Sequence, residues 1–351
     1  MPAARRGRRT LVAAAHKGDT RMRRGTFLIL VMSAAALAAG CGKSQEPGAA
    51  GGGKTLQIAV IPKGTSHEFW KTIHAGALAA AKELPDVSID WQGPTSEGDR
   101  RSQIEYVETF IQKRVGGIVL APLDDKALVE PVRSARKAGI PVVIIDSDLA
   151  DPDAYVSFIA TNNYKGGVLG AQRLAEVLGD RGKVILLRYQ VGSASTENRE
   201  KGFMDEMAKH PGIEIVSSEQ FAGAEPQSAM SAAQGLLTRY GEGKVDGIFC
   251  PNESSAFGML QALRTANRAG RVKFVGFDVN KDLLDALRKG EMQGLVLQDP
   301  FKMGYLGVKM CAASIRGEKV QKDIDTGVKV ATLENISDPE IDKLLHPPLV
   351  E

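Results

Sequence analysis

The chain has 351 residues, which is enough for two domains of ordinary size, and its 43% hydrophobic and 25% charged residues are typical of a globular protein. Residues 1–40 carry eight Lys or Arg side chains and one Asp, a net charge of +7, so the total charge of +3 leaves −4 for the rest. That mildly acidic remainder has no basic run suited to a phosphate backbone, and we expect no nucleic-acid partner.

Residues 1–40 are predicted to be an export signal. Arg21, Arg23 and Arg24 precede an apolar run, 26–39, which is shorter than the roughly 20 residues of a membrane span. Met22 makes a better start than Met1, so residues 1–21 are interpreted as an over-extended start.

The end of the apolar run reads LAAGC and resembles a bacterial lipobox, with Ala38 at the usual place of Leu. We expect lipidation of Cys41; the alternative is a plain secretory signal cut near Ala39. Residues 41–53 are rich in Gly and Ala and predict a flexible tether. The expected location is extracytoplasmic, with the protein anchored to a membrane.

Short apolar runs alternate with amphipathic segments along the rest of the chain. The predicted strands are 56–62, 87–91, 116–122, 141–147, 155–160, 183–189, 213–219, 245–252, 272–278, 294–299 and 328–333. The predicted helices are 68–84, 98–114, 125–138, 164–179, 196–209, 226–241, 254–269 and 280–289. This alternation predicts an α/β fold, and the number of strands favours two doubly wound parallel-sheet lobes, about 54–160 and 161–298.

Ligands of such sheets bind beyond the carboxyl ends of the strands. After the first strand, Lys63 and His67 are candidate donors to a ligand, although a solvated loop is the alternative for both. Phe69 and Trp70 are adjacent at a predicted helix start, so we expect one to be core and at least one to face the cleft. The spacing does not match a phosphate-binding P-loop.

Polar residues follow later strands in the same way. Asp146 is predicted to accept hydroxyl hydrogen bonds, or to cap a helix. Arg199 suits two vicinal hydroxyls, but it can equally be an exposed charge. Asn252 and Asp278 fit either a ligand contact or a cap, whereas the amide of Gln298 has less structural reason to end a strand.

Motifs for other chemistry are missing from the sequence. We find no G-x-S-x-G or H-E-x-x-H motif and no paired His and Cys, so we predict a protein that is not an enzyme. Five scattered His and three distant Cys predict no metal site, and no cofactor is expected. Cys250 and Cys311 are expected to be buried hydrophobes and not a disulfide.

Residues from about 55 to 330 resemble the ribose-binding type of periplasmic binding protein, the type I solute-binding fold. The matching segments are HEFW (67–70), LAPLDDKAL (120–128), GIPVVIID (139–146), IATNN (159–163), REKGF (199–203), FCPNE (249–253), VGFD (275–278) and VLQDP (296–300). The family's aromatic and hydroxyl-binding contacts match Phe69, Trp70, Asp146, Arg199, Asn252, Asp278 and Gln298.

The sequence departs from that resemblance at four family contact positions, occupied here by His67, Ala121, Ser147 and Ala224; Phe221 is a possible substitute for the last. These departures predict a sugar other than ribose, and a larger one if the small residues leave space. The resemblance also implies a three-segment hinge, with lobes of 54–160 plus 299–328 and 161–298 plus 329–351.

The predicted function is capture of a monosaccharide or sugar-like polyol, and its delivery to the membrane permease of an ABC transporter by a monomeric lipoprotein. The alternative is a ligand-sensing protein that signals to a membrane receptor. A DNA-binding regulator with the same core would need a helix-turn-helix where the signal and tether stand, and an exported hydrolase would need a nucleophile with a base.

Overall fold

Two sheets organise the protein in a computed structural model that describes residues 55–350. The export signal, Cys41 and the tether lie outside the described residues. The strands are β1 Leu56–Ile61, β2 Val87–Trp91, β3 Gly117–Leu120, β4 Val142–Ile145, β5 Ser157–Ala160, β6 Gly182–Leu186, β7 Ile213–Ser217, β8 Gly247–Phe249, β9 Lys273–Phe277, β10 Gly294–Leu297, β11 Asp323–Asp325 and β12 Lys329–Ala331. The helices are α1 Glu68–Glu83, α2 Arg100–Gln112, α3 Val129–Lys137, α4 Asn163–Leu178, α5 Ala194–Met207, α6 Pro226–Arg239, α7 Glu253–Thr265, α8 Lys281–Arg288, α9 Pro300–Ile315 and α10 Pro339–Leu345, with a 3₁₀ turn at Pro152–Ala154.

The first sheet has the strand order β11-β5-β4-β3-β1-β2, and all of its strands are parallel. Strands β3 and β4 read GIVL and VVII and are buried throughout. Such continuous apolar runs are typical of strands that are covered on both faces. One face packs against α1 and α9, and the other packs against α2 and α3. We call this unit the first lobe.

The second sheet repeats the arrangement in the order β12-β10-β9-β8-β6-β7. Helices α4 and α5 cover one face, and α6, α7, α8 and α10 cover the other. We call this unit the second lobe. Its edge strand β12 runs antiparallel to β10, so the sheet is mixed, whereas the sequence analysis predicted parallel sheets only. The prediction missed this because an edge strand of three residues carries no signal for direction.

The chain passes between the lobes three times: after β5, after β10 and after β11. Helix α4 therefore follows β5 into the second lobe, and α9 returns to the first. The two-lobe α/β fold with three connections is confirmed. Every predicted strand and helix is present, but α9, α10 and β11 were not predicted. Among residues 55–350, no helix is both long and apolar enough to cross a membrane.

Candidate functional site

A narrow polar cavity lies between the lobes, at the carboxyl ends of strands from both sheets. Its volume is about 30 Å³. The lining residues are Lys63, His67, Phe69, Trp70, Glu97, Asp146, Tyr189, Ser195, Thr196, Arg199, Asn252, Glu253, Asp278 and Gln298. The cavity thus occupies the position at which parallel α/β sheets bind ligands.

Two aspartates occupy equivalent places in the two lobes. Asp146 follows β4, and Asp278 follows β9, and each of these strands is the third in the order of its sheet. Both have a left-handed backbone, with φ values of 63° and 67°. A non-glycine residue in this region costs conformational energy, and such residues concentrate at functional sites. The fold therefore aims one carboxylate at the cavity from each lobe.

Arg199 of α5 lies between these two aspartates. Its Nη2 is 4.0 Å from Asp146 Oδ1, and its Nη1 is 3.9 Å from Asp278 Oδ2. Nε donates to Asn163 Oδ1 at 2.8 Å, Nη1 donates to the Pro251 carbonyl at 2.9 Å, and the guanidinium stacks 3.9 Å from the Phe277 ring centroid. Burial lowers its pKa, and both aspartates oppose that change. The guanidinium is therefore fixed in place by the protein.

Lys63 joins the first lobe to the second. Its Nζ lies 2.9 Å from Asp146 Oδ2 and donates to Ser195 Oγ at 3.1 Å and Ser193 Oγ at 3.3 Å. The backbone N–H of Ser195 also donates to Ser147 Oγ at 3.0 Å. The ammonium group has three donors, and all three have partners, so Lys63 is saturated in this closed arrangement.

Glu97 collects three side-chain donors in the wall of the cavity. Its Oε1 accepts from Trp70 Nε1 and pairs with His67 Nδ1, each at 2.6 Å, and its Oε2 accepts from the Tyr189 hydroxyl. Burial raises the pKa of Glu97, but the donors and the charge of His67 outweigh this and bring it to about 2. Burial also lowers the pKa of His67, and Glu97 outweighs it, raising the value to about 9.

The aromatic pair is divided as the sequence analysis expected. Trp70 is 2% exposed and packs in the first-lobe core, while its indole edge reaches the cavity. Phe69 is half-buried, meets Trp70 edge to face at 5.0 Å between centroids, and lines the cavity. The backbone N–H of Phe69 donates to Glu253 Oε2 of the second lobe at 3.1 Å. The Phe69 ring is thus held beside the polar groups of the cavity.

The second-lobe carboxylates have weaker partners. Asp278 Oδ1 accepts from Gln298 Nε2 at 2.7 Å, and its Oδ2 accepts from the Glu253 N–H at 3.2 Å. Burial raises the pKa of Asp278 to about 6 even though Arg199 lowers it. Burial likewise raises the pKa of Glu253 to about 7. These two groups therefore titrate near neutral pH, unlike Glu97.

Asn252 has a structural role that the sequence analysis left open. It is the N-cap of α7, where its Oδ1 accepts from the Ser255 N–H at 3.4 Å and the Ser255 hydroxyl at 2.5 Å. Its Nδ2 contacts Ser254 Oγ at 3.0 Å, and the residue also lines the cavity. The side chain of Asn252 therefore both caps α7 and lines the cavity.

Three buried polar atoms in the cavity lining have no hydrogen-bond partner: His67 Nε2, Arg199 Nη2 and Gln298 Oε1. Glu225 Oε2 lies 3.8 Å from His67 Nε2, beyond hydrogen-bond distance. An unpaired buried polar atom costs about 1–3 kcal/mol, and such atoms are rare in folded proteins. The cavity therefore contains two unused donors, His67 Nε2 and Arg199 Nη2, and one unused acceptor, Gln298 Oε1.

The structure brings all nine candidate residues of the sequence analysis to this cavity. Five further lining residues were missed as site residues: Glu97, Tyr189, Ser195, Thr196 and Glu253. Tyr189 and Glu253 stand at strand ends and could have been chosen on that ground. Glu97 lies in an irregular loop, where the sequence contains no signal of this kind.

The extra space predicted from small residues is not present. Ala121, Ser147 and Ala224 do not line the cavity. Ser147 accepts the Ser195 N–H, and the Ala121 carbonyl accepts from Gln103 Nε2 at 2.8 Å. Ala224 faces Gly98 of the other lobe, because a Cβ on that glycine would lie 3.5 Å from the alanine Cβ. Phe221 lies against Arg188, outside the cavity lining.

Metal and sulfur chemistry find no support in the part of the chain that the structure describes. No group of three or more His, Cys, Asp or Glu residues there is arranged to hold a metal ion. Cys250 and Cys311 are buried, free thiols, as the sequence analysis expected. Burial raises the pKa of both thiols, which makes them unreactive.

Known proteins match this fold and nearly the whole described chain. A family model described as a periplasmic binding protein domain matches residues 58–319. The D-allose-binding periplasmic protein of Escherichia coli K12 is 31% identical over 304 residues, which cover 84% of this chain and 91% of that protein.

Two solved structures are also similar. A carbohydrate transporter solute-binding protein of Agrobacterium radiobacter, in complex with D-arabinose, aligns with a TM-score of 0.79 and 34% identity, covering 83% of this chain and 99% of that one. An ABC transporter solute-binding protein of Agrobacterium vitis with bound D-fucose aligns with a TM-score of 0.80 and 35% identity, covering 83% and 100%. The chain therefore belongs to the periplasmic binding proteins of the ribose-binding type, a family of solute-binding proteins and not of enzymes.

Proposed function

We propose that the protein captures a neutral monosaccharide or sugar-like polyol in the cavity between its lobes and delivers it to the permease of an ABC transporter. The observation that carries this proposal is the set of unpartnered atoms at His67, Arg199 and Gln298. Two donors and one acceptor suit hydroxyl groups, which both donate and accept. Phe69 and Trp70 add the apolar ring surface that a sugar's C–H face requires.

The charges of the cavity support a neutral ligand. Its cationic side chains are Lys63, His67 and Arg199, and its carboxylates are Glu97, Asp146, Glu253 and Asp278. Because the pKa of Glu253 is about 7, the two signs nearly cancel at neutral pH. A charged sugar acid or amino sugar would leave one buried charge without a partner, which is costly.

Capture requires the lobes to separate. The cavity of about 30 Å³ holds only one or two water molecules, and a monosaccharide has about ten or more heavy atoms. Hinge motion about the three connections would admit the sugar, and closure would bury it between both lobes. We assign 54–160 plus 299–328 to the first lobe and 161–298 plus 329–351 to the second.

The remaining parts of the proposal concern location and partner. We propose that residues 1–40 direct export, that Cys41 is lipidated, and that 41–53 tether a monomeric protein to the membrane. The D-arabinose- and D-fucose-bound relatives are carbohydrate or ABC transporter proteins, which supports transport as the role. Metabolic labelling with a fatty-acid analogue tests the anchor, because Cys41→Ser should abolish incorporation.

A thermal-shift panel tests the binding function. It should contain D-allose, D-ribose, D-arabinose, D-fucose, inositols, a sugar acid, an amino sugar and amino acids. A ligand at 100 times its Kd adds about 2.7 kcal/mol of stability, so one or more neutral sugars should raise the melting temperature clearly. A shift with amino acids or sugar acids alone would contradict the proposal. Asp278→Asn should reduce the shift, whereas Arg101→Ala, an exposed site, should not.

A further inference from the structure

Five residues join the lobes around Glu97, next to the cavity. Ser96 and Glu97 belong to the first-lobe loop between β2 and α2, and Tyr189, Gln190 and Glu225 belong to the second lobe. The Tyr189 hydroxyl donates to Glu97 Oε2, and Gln190 Nε2 donates to the Glu97 carbonyl at 3.1 Å. Ser96 Oγ donates to Glu225 Oε1 at 2.6 Å. We call these five residues the clasp.

The side chain of Glu97 is occupied by the protein itself. Its carboxylate accepts from Trp70 and His67 of the first lobe and from Tyr189 of the second. Glu97 is 6% exposed and Tyr189 is 1% exposed, so solvent cannot replace these bonds while the lobes are closed. A carboxylate has about four acceptor positions, and three of them are filled. Glu97 is therefore poorly suited to bind a ligand hydroxyl.

We propose that Glu97 is a positioning residue, which fixes Trp70 and His67 in the cavity wall and, through Tyr189, stabilises the closed arrangement of the lobes by bonds that do not involve a ligand. The three bonds of the Glu97 side chain, to Trp70 and His67 of its own lobe and to Tyr189 of the second lobe, need no ligand atom. The clasp thus biases the protein toward the conformation that buries a ligand. A protein whose binding-competent state is already populated pays less of the cost of closure on binding.

The consequence for affinity rests on the proposed function, whereas the consequence for closure does not. Loss of the Tyr189 hydroxyl removes one hydrogen bond to a charged group, which should lower the closed-to-open ratio roughly tenfold to a hundredfold. Ligand affinity should fall by up to the same factor. The loss of affinity should appear as faster ligand dissociation, because the rate at which a ligand meets the open form is unaffected.

The test measures closure without a sugar. Spin labels at Arg101→Cys and Glu219→Cys, one exposed site on each lobe, report the separation of the lobes by pulsed electron resonance in a Cys41→Ser background. Cys250 and Cys311 are buried and should not be labelled. The unliganded protein should show a population at the short distance of the closed arrangement, and Tyr189→Phe should reduce that population in favour of a longer distance.

Tyr164→Phe is the matched control. The Tyr164 hydroxyl donates to Asp205 Oδ2 at 3.0 Å, which is also a tyrosine–carboxylate bond but lies within the second lobe. This control should leave the distances unchanged. Glu97→Gln should act in the same direction as Tyr189→Phe, and the double variant should add little, because both remove one bond.

The Trp70 indole N–H gives a second readout. The chain contains two tryptophans, so its ¹⁵N spectrum should contain two indole signals. Glu97→Gln should shift the Trp70 signal, because it changes the group that accepts from the indole N–H. Adding Tyr189→Phe to Glu97→Gln should not recover closure or affinity. An unliganded protein with no population at the short distance, or equal populations in the parent and Tyr189→Phe, would overturn the clasp. Failure of every sugar to bind would instead contradict the proposed function and leave this closure test unaffected.

Discussion

The two lobes present equally buried carboxylates to the cavity but in opposite electrostatic conditions. Glu97 of the first lobe has three side-chain donors, one of them cationic, and its pKa is about 2. Asp278 of the second lobe has an amide, a backbone N–H and a guanidinium at 3.9 Å, and its pKa is about 6. Burial alone therefore does not decide the charge of a carboxylate; the donors around it do.

This difference assigns different tasks to the two lobes. In the first lobe, protein groups fill all three donors of Lys63 and three of the acceptor positions of Glu97, and these bonds hold the cavity wall in shape. In the second lobe, Asp278 has raised pKa and Gln298 Oε1 has no partner. Such groups are stabilised most when a ligand hydroxyl supplies the missing donor or acceptor. Arg199 lies near the aspartates of both lobes, so its loss should have the largest effect on stability and on sugar binding.

Arg199→Met should destabilise the protein by about 3–5 kcal/mol, because it leaves Asp146 and Asp278 buried without their shared cation. Sugar binding should be lost. Denaturant unfolding and calorimetric titration measure the two effects. Arg101→Met is the matched control: its side chain is 89% exposed, and its removal should change stability by less than about 0.5 kcal/mol. Retained binding in Arg199→Met would contradict its assignment.

His67→Gln tests the first-lobe network through pH. The pKa of His67 is raised from 6.5 to about 9, so its contribution to stability is fully present below pH 6.5 and is lost as pH rises through 9. The contribution is at most about 3 kcal/mol. The parent protein should lose stability across this range, and His67→Gln should be flatter. His346→Gln, at an exposed site, should behave like the parent.

Asp278→Asn tests the second-lobe carboxylate. It retains the size of the side chain and an acceptor for Gln298 but removes the charge that a hydroxyl would bind. We expect a loss of about 1.5–3 kcal/mol in sugar affinity, or roughly tenfold to a hundredfold. Stability should change little at pH 7 or rise, because ionisation of this buried group is unfavourable. Calorimetric titration measures the affinity, and an unchanged Kd would show that Asp278 does not contact the ligand.

The pH dependence of affinity should give the smallest effect. Asp278 titrates at about 6, and a ligand hydroxyl favours its ionised form, so a proton competes with the sugar below that pH. Affinity should therefore fall by up to about tenfold between pH 6 and pH 5, with proton release on binding. Titrations in two buffers of different ionisation enthalpy measure that release. Asp278→Asn should lack the dependence, and the same slope in this variant would show another group to be responsible.

The fold was predictable because its strands are buried on both faces and alternate with helices. Strands β3 and β4 are continuous apolar runs, and Gly179 with a φ of 63° ends α4 where a left-handed cap is needed. The missed elements are of a different kind. Strand β11 reads DID, which has no apolar signal, and α10 has seven residues. Helix α9 was missed although it is long and amphipathic.

The cavity lining was predictable where a side chain follows a strand, as with Asp146, Asp278 and Gln298. Glu97 was not predictable, because it lies in an irregular loop and its partners come from α1 and from the other lobe. The space expected at Ala121, Ser147 and Ala224 is not part of this cavity. A small residue leaves a gap only if no other group fills it, and that depends on the packing of both lobes.

A crystal structure of the protein with the sugar that gives the largest thermal shift would show which atoms bind the ligand. We expect ligand oxygens at hydrogen-bond distance from Arg199 Nη2, Gln298 Oε1 and His67 Nε2, with a ring face against Phe69 or Trp70. The bonds of Glu97 to Trp70, His67 and Tyr189 should be intact. A sugar bound elsewhere, or one whose oxygens leave these three atoms unpaired, would show that this cavity does not bind the sugar as proposed.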